Sequence, residues 1–305
     1  MKKKKKMKDK ANLELLLMCL PTLLKTFIFA YIPMVGIIMA FEYYRPATGL
    51  LSEWVGFENF SYIFKSADAK IIFSNTIIYN LLFIVTGLIV ALILALFMFE
   101  MKNRKLLKMS QMFMFFPFFV SWILAGTLVT SLIGTEGLYT NTLKTLFGID
   151  IAFYSEPKYW RFILVFVNIW KNAGVSAVVY YATLLNIDNE ILEAAEMDGA
   201  GRFCRMFYIL MPQITTMALV NTIMNCSNIL RADFGLFYYV TRGPVVDLVE
   251  KCEVIDTYIY KALLNGRGQY GIGTAVGLLQ GVVGLVLTYI SNRISRCIDA
   301  DARLF

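Results

Sequence analysis

Long apolar stretches separated by short polar segments dominate the pattern of the chain. Each is close to the roughly 20 residues that a helix needs to cross a hydrocarbon core about 30 Å thick. Helices are the expected form, because lipid offers no partner to an unpaired backbone amide. The pattern predicts an all-α, polytopic membrane protein with six transmembrane helices, at 15–41, 72–99, 112–133, 162–185, 214–230 and 272–289.

Composition favours the same class of protein. The 305 residues are 58% hydrophobic and only 17% charged, whereas a soluble domain carries about 25% charged residues. The positive mean hydropathy of +0.62 likewise indicates a membrane protein.

The charge is concentrated at the N-terminus, where MKKKKKMKDK contains seven lysines. Such a run is typical either of a nucleic-acid-binding tail or of the cytoplasmic flank of a first span. Because an apolar stretch follows directly, we favour the topology signal and expect no nucleic-acid partner. The apolar stretch continues to Phe41 without a clear cleavage site, which favours an uncleaved span over a signal peptide.

The distribution of Lys and Arg predicts that both termini are cytoplasmic, because these residues are more numerous in the segments then placed inside. This topology divides the chain into five parts. They are a basic cytoplasmic tail at 1–12, a first transmembrane helix at 13–42, an extracellular loop at 43–71, a core at 72–292 and a cytoplasmic tail at 293–305. The core contains the other five helices and a charged cytoplasmic loop at 186–213.

Few residues are suited to catalysis or to metal binding. Histidine is absent, which removes the commonest general base and transition-metal ligand. The five cysteines show no paired or metal-binding spacing, and no Gly-rich loop precedes a Lys-Ser/Thr pair. We therefore expect no catalytic residue, no metal site and no nucleotide site in this chain, and an integral membrane enzyme is disfavoured.

The charged cytoplasmic loop has the pattern of an angular, exposed element. Asp188 can cap a helix over 189–197, Gly199 interrupts that helix, a second helical run over 203–210 has one apolar face, and Pro212 precedes the fifth span. One interpretation is an amphipathic linker on the lipid surface. The other, which we favour, is a docking element for a cytosolic partner.

The spacing within this loop resembles the EAA motif of ABC-importer permeases. The resemblance implies a type I importer permease fold in which the loop docks into a cytosolic ATPase subunit and couples transport to ATP. It also implies that ATP and Mg are bound by that partner, so that this chain has no cofactor and is not itself an enzyme. The matching residues are Glu193, Ala194, Ala195, Asp198, Gly199, Ala200, Ile209 and Pro212.

Other segments are similar to the carbohydrate branch of these permeases. WVGFENF at 54–60 resembles a motif of maltose-type permeases, and the segments 31–44, 116–122 and 170–174 resemble the branch that serves complex oligosaccharides. The resemblance implies oligosaccharide import across a bacterial cell membrane. It implies as partners two cytosolic ABC ATPase subunits, an extracellular solute-binding protein and a second permease chain, which this branch suggests is a different one.

Two other kinds of transporter stay open at this point. One is an ABC-importer permease for a non-sugar solute such as phosphate or peptide, and the other is a secondary transporter that works alone. The EAA-like loop has no use in a secondary transporter, and WVGFENF favours sugar.

Polar residues inside the predicted spans are the candidates for the substrate path. Asn221, Asn225 and Asn228 are spaced to share one helix face, and amide and aromatic side chains suit a sugar. Interhelical hydrogen bonding is the alternative role. The further candidates are Trp122, Asn168, Trp170, Asn172 and Gln280.

Overall fold

The described part of the chain contains the helices α1 to α14, a few short 3₁₀ and π-helical segments and one hairpin. The computed structural model describes residues 15–65, 67–243, 246–264 and 269–298, and the predicted tail at 1–12 lies outside them. The longer helices are α1 Leu15–Phe41, α2 Glu58–Lys65, α3 Ala67–Phe99, α4 Arg104–Phe119, α5 Trp122–Ile133, α6 Leu138–Phe147 and α7 Trp160–Leu184. They continue with α8 Asn189–Met197, α9 Arg202–Arg205, α10 Met211–Cys226, α11 Phe234–Tyr239, α12 Val249–Cys252, α13 Ile255–Leu264 and α14 Tyr270–Ile298.

The predicted spans correspond to long apolar helices. Within the described ranges, five helices are long and apolar enough to cross a membrane: α1, α3, α7, α10 together with α9, and α14. A sixth span is obtained when α4 and the helical segment 122–147, which begins with α5, are counted together as one bent span. Along its most apolar window α1 is not buried at all within this chain, as expected of a helix that faces lipid or another subunit.

The third predicted span, at 112–133, is wrong as a single helix. The chain bends by 98° between α4 and α5, where Val120 and Ser121 adopt extended backbone. Pro117 weakens the end of α4, because proline lacks an amide hydrogen and crowds the preceding turn. Ser121 then starts α5, since its hydroxyl accepts a hydrogen bond from the Leu124 amide at 3.3 Å.

A small hairpin follows α1, although the sequence predicts helices alone. Strands β1 (Glu42–Arg45) and β2 (Gly49–Trp54) pair antiparallel. They belong to a compact unit formed by the described residues up to Ile63 and from Ala262 to Leu278. The buried Asn59 of the WVGFENF segment donates to the carbonyl oxygens of Ala40 at 2.9 Å and Glu42 at 3.0 Å. In this unit the motif fixes the end of α1.

The second compact unit comprises the described residues from Phe64 to Lys261 and from Leu279 onwards. Within this unit, the most extensive packing between two helices is that of α3 against α7. Two separate core clusters form along this helix pair, one towards the start of both helices and one towards their ends. The first contains Tyr79, Trp160, Leu164, Val167 and Phe237, and the second contains Ala91, Leu96, Ala177, Leu184, Leu210 and Ile214.

Candidate functional site

A polar cavity of about 340 Å³ lies between the two core clusters of the second unit. Its walls come from the middle of α3 and α7 and from the second half of α10. Phe83, which packs on the first cluster, and Tyr180 of the second cluster both reach the cavity, so it is bounded by the two apolar regions. Its lining includes Asn80, Asn168, Asn172, Ser176, Tyr180, Asn221, Asn225, Asn228, Arg231 and Asp233.

The three predicted asparagines line this cavity, but only Asn221 and Asn225 are on α10, because the helix ends at Cys226 and Asn228 lies in the turn that follows. Asn221 donates to the hydroxyl oxygen of Tyr180 at 2.9 Å. Among the described residues, no hydrogen bond involves the side chain of Asn225, and the same is true of Asn168 and Asn172 on α7. An amide in a polar cavity without a protein partner keeps its donors and acceptor available for a ligand or water.

Asn80 joins the cavity from α3, although the sequence did not single it out. Its amide nitrogen donates to the carbonyl oxygens of Thr76 and Ile229, each at 2.9 Å. The signal available in the sequence was an amide within a long apolar helix, but Asn75 in the same helix gives the same signal and bonds to the carbonyl oxygens of Glu250 and Glu253 instead. The partner of Asn80 at Ile229 is 149 residues away, so only the fold reveals the neighbourhood.

The other predicted path residues lie outside this cavity. Trp170 is 37% exposed and faces a shallow apolar recess beside α4. Gln280 is buried and donates to the carbonyl oxygen of Leu230 at 2.6 Å and to Asp256 at 3.3 Å. Burial raises the pKa of Asp256, against the opposing effect of its hydrogen bonds. Gln280 therefore forms the structural bonds that were the alternative to a path role.

Trp122 does not line the cavity, but it forms a hydrogen bond with Asp233, which does. Its indole nitrogen donates to Oδ2 of Asp233 at 2.8 Å. Oδ1 of the same carboxylate accepts hydrogen bonds from the amides of Gly235 at 2.9 Å and Leu236 at 3.4 Å and so caps α11. Asp233 lines the cavity, but both of its oxygens are already bonded.

Lys171 supports the bend between α4 and α5. Its side chain is on α7 and is buried, with 8% of the residue exposed. The ammonium donates to the carbonyl oxygens of Phe118 at 2.9 Å, Pro117 at 3.4 Å and Val120, and lies 5.0 Å from the centre of the Trp122 ring. The Pro117 oxygen also accepts from the Val120 amide at 3.1 Å, so the cation supplements that bond and supplies a donor to the other carbonyls at the end of α4.

The predicted loop at 186–213 forms a second candidate site. Asp188 caps α8 as predicted, because its carboxylate accepts a hydrogen bond from the Glu190 amide at 3.2 Å. Gly199 ends the turn after α8 with a φ of +77°. Most of the motif residues are exposed on this element: Glu193, Ala194, Asp198, Gly199 and Pro212, with Ala195 and Ala200 half-buried.

The second half of the loop differs from the predicted helix followed by a proline break. α9 continues through a π-helical turn, Met206–Leu210, directly into α10. Pro212 lies at the start of α10, directly after this π-helical turn, and cannot donate a hydrogen bond to the turn that precedes it. The apolar face is also divided, since Met206 and Leu210 are buried while Phe203 and Phe207 are exposed.

Arg205 ties the loop to the end of α3. Its guanidinium forms ion pairs with Glu196 on α8 and with Glu100, the latter at 3.0 Å. The side chains of Arg205 and Glu100 are each only 12% exposed, so solvent screens this pair less than a surface pair. Glu193 and Glu196 line a cleft of about 240 Å³ beside them.

The sequence of this chain matches a known protein family. The family model described as binding-protein-dependent transport system inner membrane component matches residues 84–303. The chain belongs to this family. It is therefore a multi-pass permease subunit of an ABC importer with the type I permease fold, located in the cell membrane.

Two curated relatives of this permease come from Bacillus subtilis (strain 168). The polygalacturonan/rhamnogalacturonan transport system permease protein YteP is 33% identical over 92% of this chain and 87% of its own length. Protein LplB is 34% identical over 94% of this chain and 90% of its own length. The sn-glycerol-3-phosphate permease protein UgpA of Escherichia coli is 29% identical over 79% of each chain.

Solved structures share the architecture of this permease. A bacterial ABC transporter involved in the import of the acidic polysaccharide alginate contains a chain with 31% identity and a TM-score of 0.85, covering 97% of this chain and 99% of that one. A second structure of the bacterial alginate transporter, in complex with an alginate pentasaccharide-bound periplasmic protein, gives 30% identity and a TM-score of 0.83.

Proposed function

We propose that this permease subunit forms part of the membrane path for an oligosaccharide, which crosses through the cavity between the two core clusters. The observation that carries the proposal is the set of side-chain amides at Asn168, Asn172 and Asn225, which line the cavity and have no hydrogen-bond partner among the described residues. Sugar hydroxyls donate and accept hydrogen bonds, and an amide offers both functions. A cavity of about 340 Å³ has room for one or two sugar rings.

The relatives support a carbohydrate over phosphate or peptide. YteP is named for the transport of polygalacturonan and rhamnogalacturonan, and the solved transporter imports alginate. Both are more similar to this chain, over more of its length, than the glycerol-phosphate permease. A peptide backbone would be a weaker match, because its recognition usually relies on an open strand edge or apolar grooves.

The loop around α8 is proposed to couple transport to ATP hydrolysis in other chains. Two cytosolic ATPase subunits would bind ATP and Mg and receive α8, and a second permease chain would complete the path. An extracellular solute-binding protein would deliver the sugar, as a periplasmic protein accompanies the alginate transporter. Exposed Met197 and Phe203, 88% and 72% accessible, are apolar surface of the kind that interfaces cover.

The test is to purify the intact complex from the native membrane and identify its companion chains. Reconstituted in proteoliposomes with its binding protein, the complex should accumulate labelled oligosaccharide only when ATP is supplied. ATP-independent uptake by this chain alone would contradict the proposal and indicate a secondary transporter.

Replacing the cavity amides should reduce sugar transport. For Asn225→Ala and Asn221→Ala we expect roughly five- to tenfold lower uptake each, since a hydrogen bond contributes about 1 kcal/mol. Initial uptake rates at several sugar concentrations measure the effect. The matched control is Thr216→Ala, which removes a polar group from an exposed position of α10 away from the cavity. Unchanged kinetics in both asparagine variants would remove this face from the path.

Removing Arg205 should loosen the coupling loop from α3. We expect Arg205→Ala to lower transport per ATP hydrolysed several-fold, because Glu100 and Glu196 lose the cation between them and a part-buried carboxylate is left unpaired. The ratio of sugar imported to phosphate released measures this. Arg202→Ala, which removes an exposed arginine of the same short helix, is the control. Equal ratios in the two variants would contradict a coupling role for the ion pairs.

A further inference from the structure

Only two of the described residues that line the cavity between the two core clusters are charged, Arg231 and Asp233. Both oxygens of Asp233 already accept hydrogen bonds, one from Trp122 and the other from the Gly235 amide at the start of α11, although the carboxylate keeps its negative charge. The guanidinium of Arg231 has no ion pair within 4 Å among the described residues. Its side chain is exposed, and only its backbone amide is committed, to the carbonyl oxygen of Asn228 at 2.8 Å.

The position of Arg231 connects two spaces. Arg231 lines the cavity between the two core clusters and also a second cavity of about 190 Å³. Asn228 lines the same two cavities. The nearby carboxylate of Asp256 is occupied by the Ala232 amide at 2.7 Å and by Gln280. Burial raises the pKa of Asp256, and the positive charge of Arg231 acts on it through space in the opposite direction, but no described group accepts a hydrogen bond from the guanidinium. Its donors therefore remain available beside the amides of this path.

We propose that Arg231 binds the carboxylate of an acidic sugar residue, so that this permease selects uronate-containing oligosaccharides over neutral ones. The inference rests on the proposed function and specifies its substrate class. Guanidinium presents two parallel N–H donors that match the two oxygens of a carboxylate. Asn225 and Asn228 line the same cavity as Arg231 and offer amides to the hydroxyl groups of the ring, although the Asn228 amide also donates to the Ser227 hydroxyl at 3.4 Å.

Direct binding to the purified complex, without the solute-binding protein, tests this selection. The probes are trigalacturonate, its fully methyl-esterified form and maltotriose, measured by equilibrium dialysis. The wild-type complex should bind the acid about tenfold more tightly than the ester, since hydrogen bonds between two charged groups are stronger than those to a neutral ester. Arg231→Gln should abolish the difference by weakening only the acid, and Arg231→Lys should retain part of it.

Lys144→Gln is the matched charge control, because Lys144 is exposed on α6 and lines neither cavity. It should leave the preference for the acid unchanged. Equal binding of acid and ester by the wild type would overturn the inference, as would an undiminished preference in Arg231→Gln. Competition by sn-glycerol 3-phosphate but not by the acid would assign the cation to a phosphate ligand instead.

The outcomes separate this inference from the proposed function. Binding of maltotriose and ester without any preference for the acid leaves a sugar permease and removes the role of Arg231. If none of the three saccharides binds and none is taken up by the ATP-supplied complex, the proposed carbohydrate function itself fails.

Discussion

Replacing Gly199 with valine is expected to uncouple the transporter while leaving the membrane domain folded. Gly199 has a φ of +77°, a conformation that a β-branched residue adopts at a cost of order 1–2 kcal/mol. A β-carbon there would have no atom within 4 Å, so the effect comes from the backbone and not from a clash. The turn after α8 should therefore shift to another conformation and move the loop residues that follow it.

The expected result is a loss of ATP-dependent uptake by about tenfold, because a cost near 1.4 kcal/mol lowers the population of the native turn by that factor. Co-purification of the ATPase subunits should weaken in parallel. Uptake and ATPase content of the same membranes are the two measurements.

Gly201→Val provides a matched control two residues away. Gly201 also has open space around its β-carbon position, but its φ of −66° is ordinary for any residue. This variant should transport close to the wild-type rate. If both variants lose transport equally, bulk on the loop surface and not the left-handed turn is responsible. If Gly199→Val transports normally, the turn has no part in coupling.

Local rules account for the parts of this molecule that sequence reasoning predicted. The length of the apolar stretches predicted five of the spans, and the capping preference of Asp188 predicted the start of α8. The helical spacing of Asn221 and Asn225 predicted that they share one face. Each depends on residues within about one or two helical turns of each other. The resemblance of the loop and of WVGFENF added the family, which apolar length alone does not distinguish from other transporters.

Other features depend on residues far apart in the chain. Asn80 lines the cavity because α3 packs on α7, and Arg231 because the chain turns after α10. Trp170 and Asn172 are neighbours in sequence, yet the structure places one beside α4 and the other in the cavity, since two residues of helix rotate the side chain to another face. Which face of a helix points into the cavity is determined by the helices that pack against it.

Lys171→Met is expected to destabilise the permease by about 2–4 kcal/mol, because it removes the donors for the carbonyl oxygens of Pro117, Phe118 and Val120 in an apolar setting. Methionine keeps much of the volume of the side chain, so packing loss contributes little. Gly174, one turn further along α7, shows how close the two helices run, since a β-carbon there would clash with the carbonyl oxygen of Met114. α4 therefore has no room to relax towards α7 and recover the lost bonds.

The apparent melting temperature of the detergent-purified complex measures this loss, and we expect a fall of several degrees. Lys144→Met is the control, because Lys144 makes an ion pair with Asp150 in which both side chains are more than half exposed, a kind of pair that contributes little. Equal melting temperatures for the two variants would contradict the role of Lys171 at the bend. A fall confined to Lys171→Met, together with reduced uptake, would connect the bend to the cavity through Trp122, whose ring lies 5.0 Å from the ammonium and whose nitrogen holds Asp233.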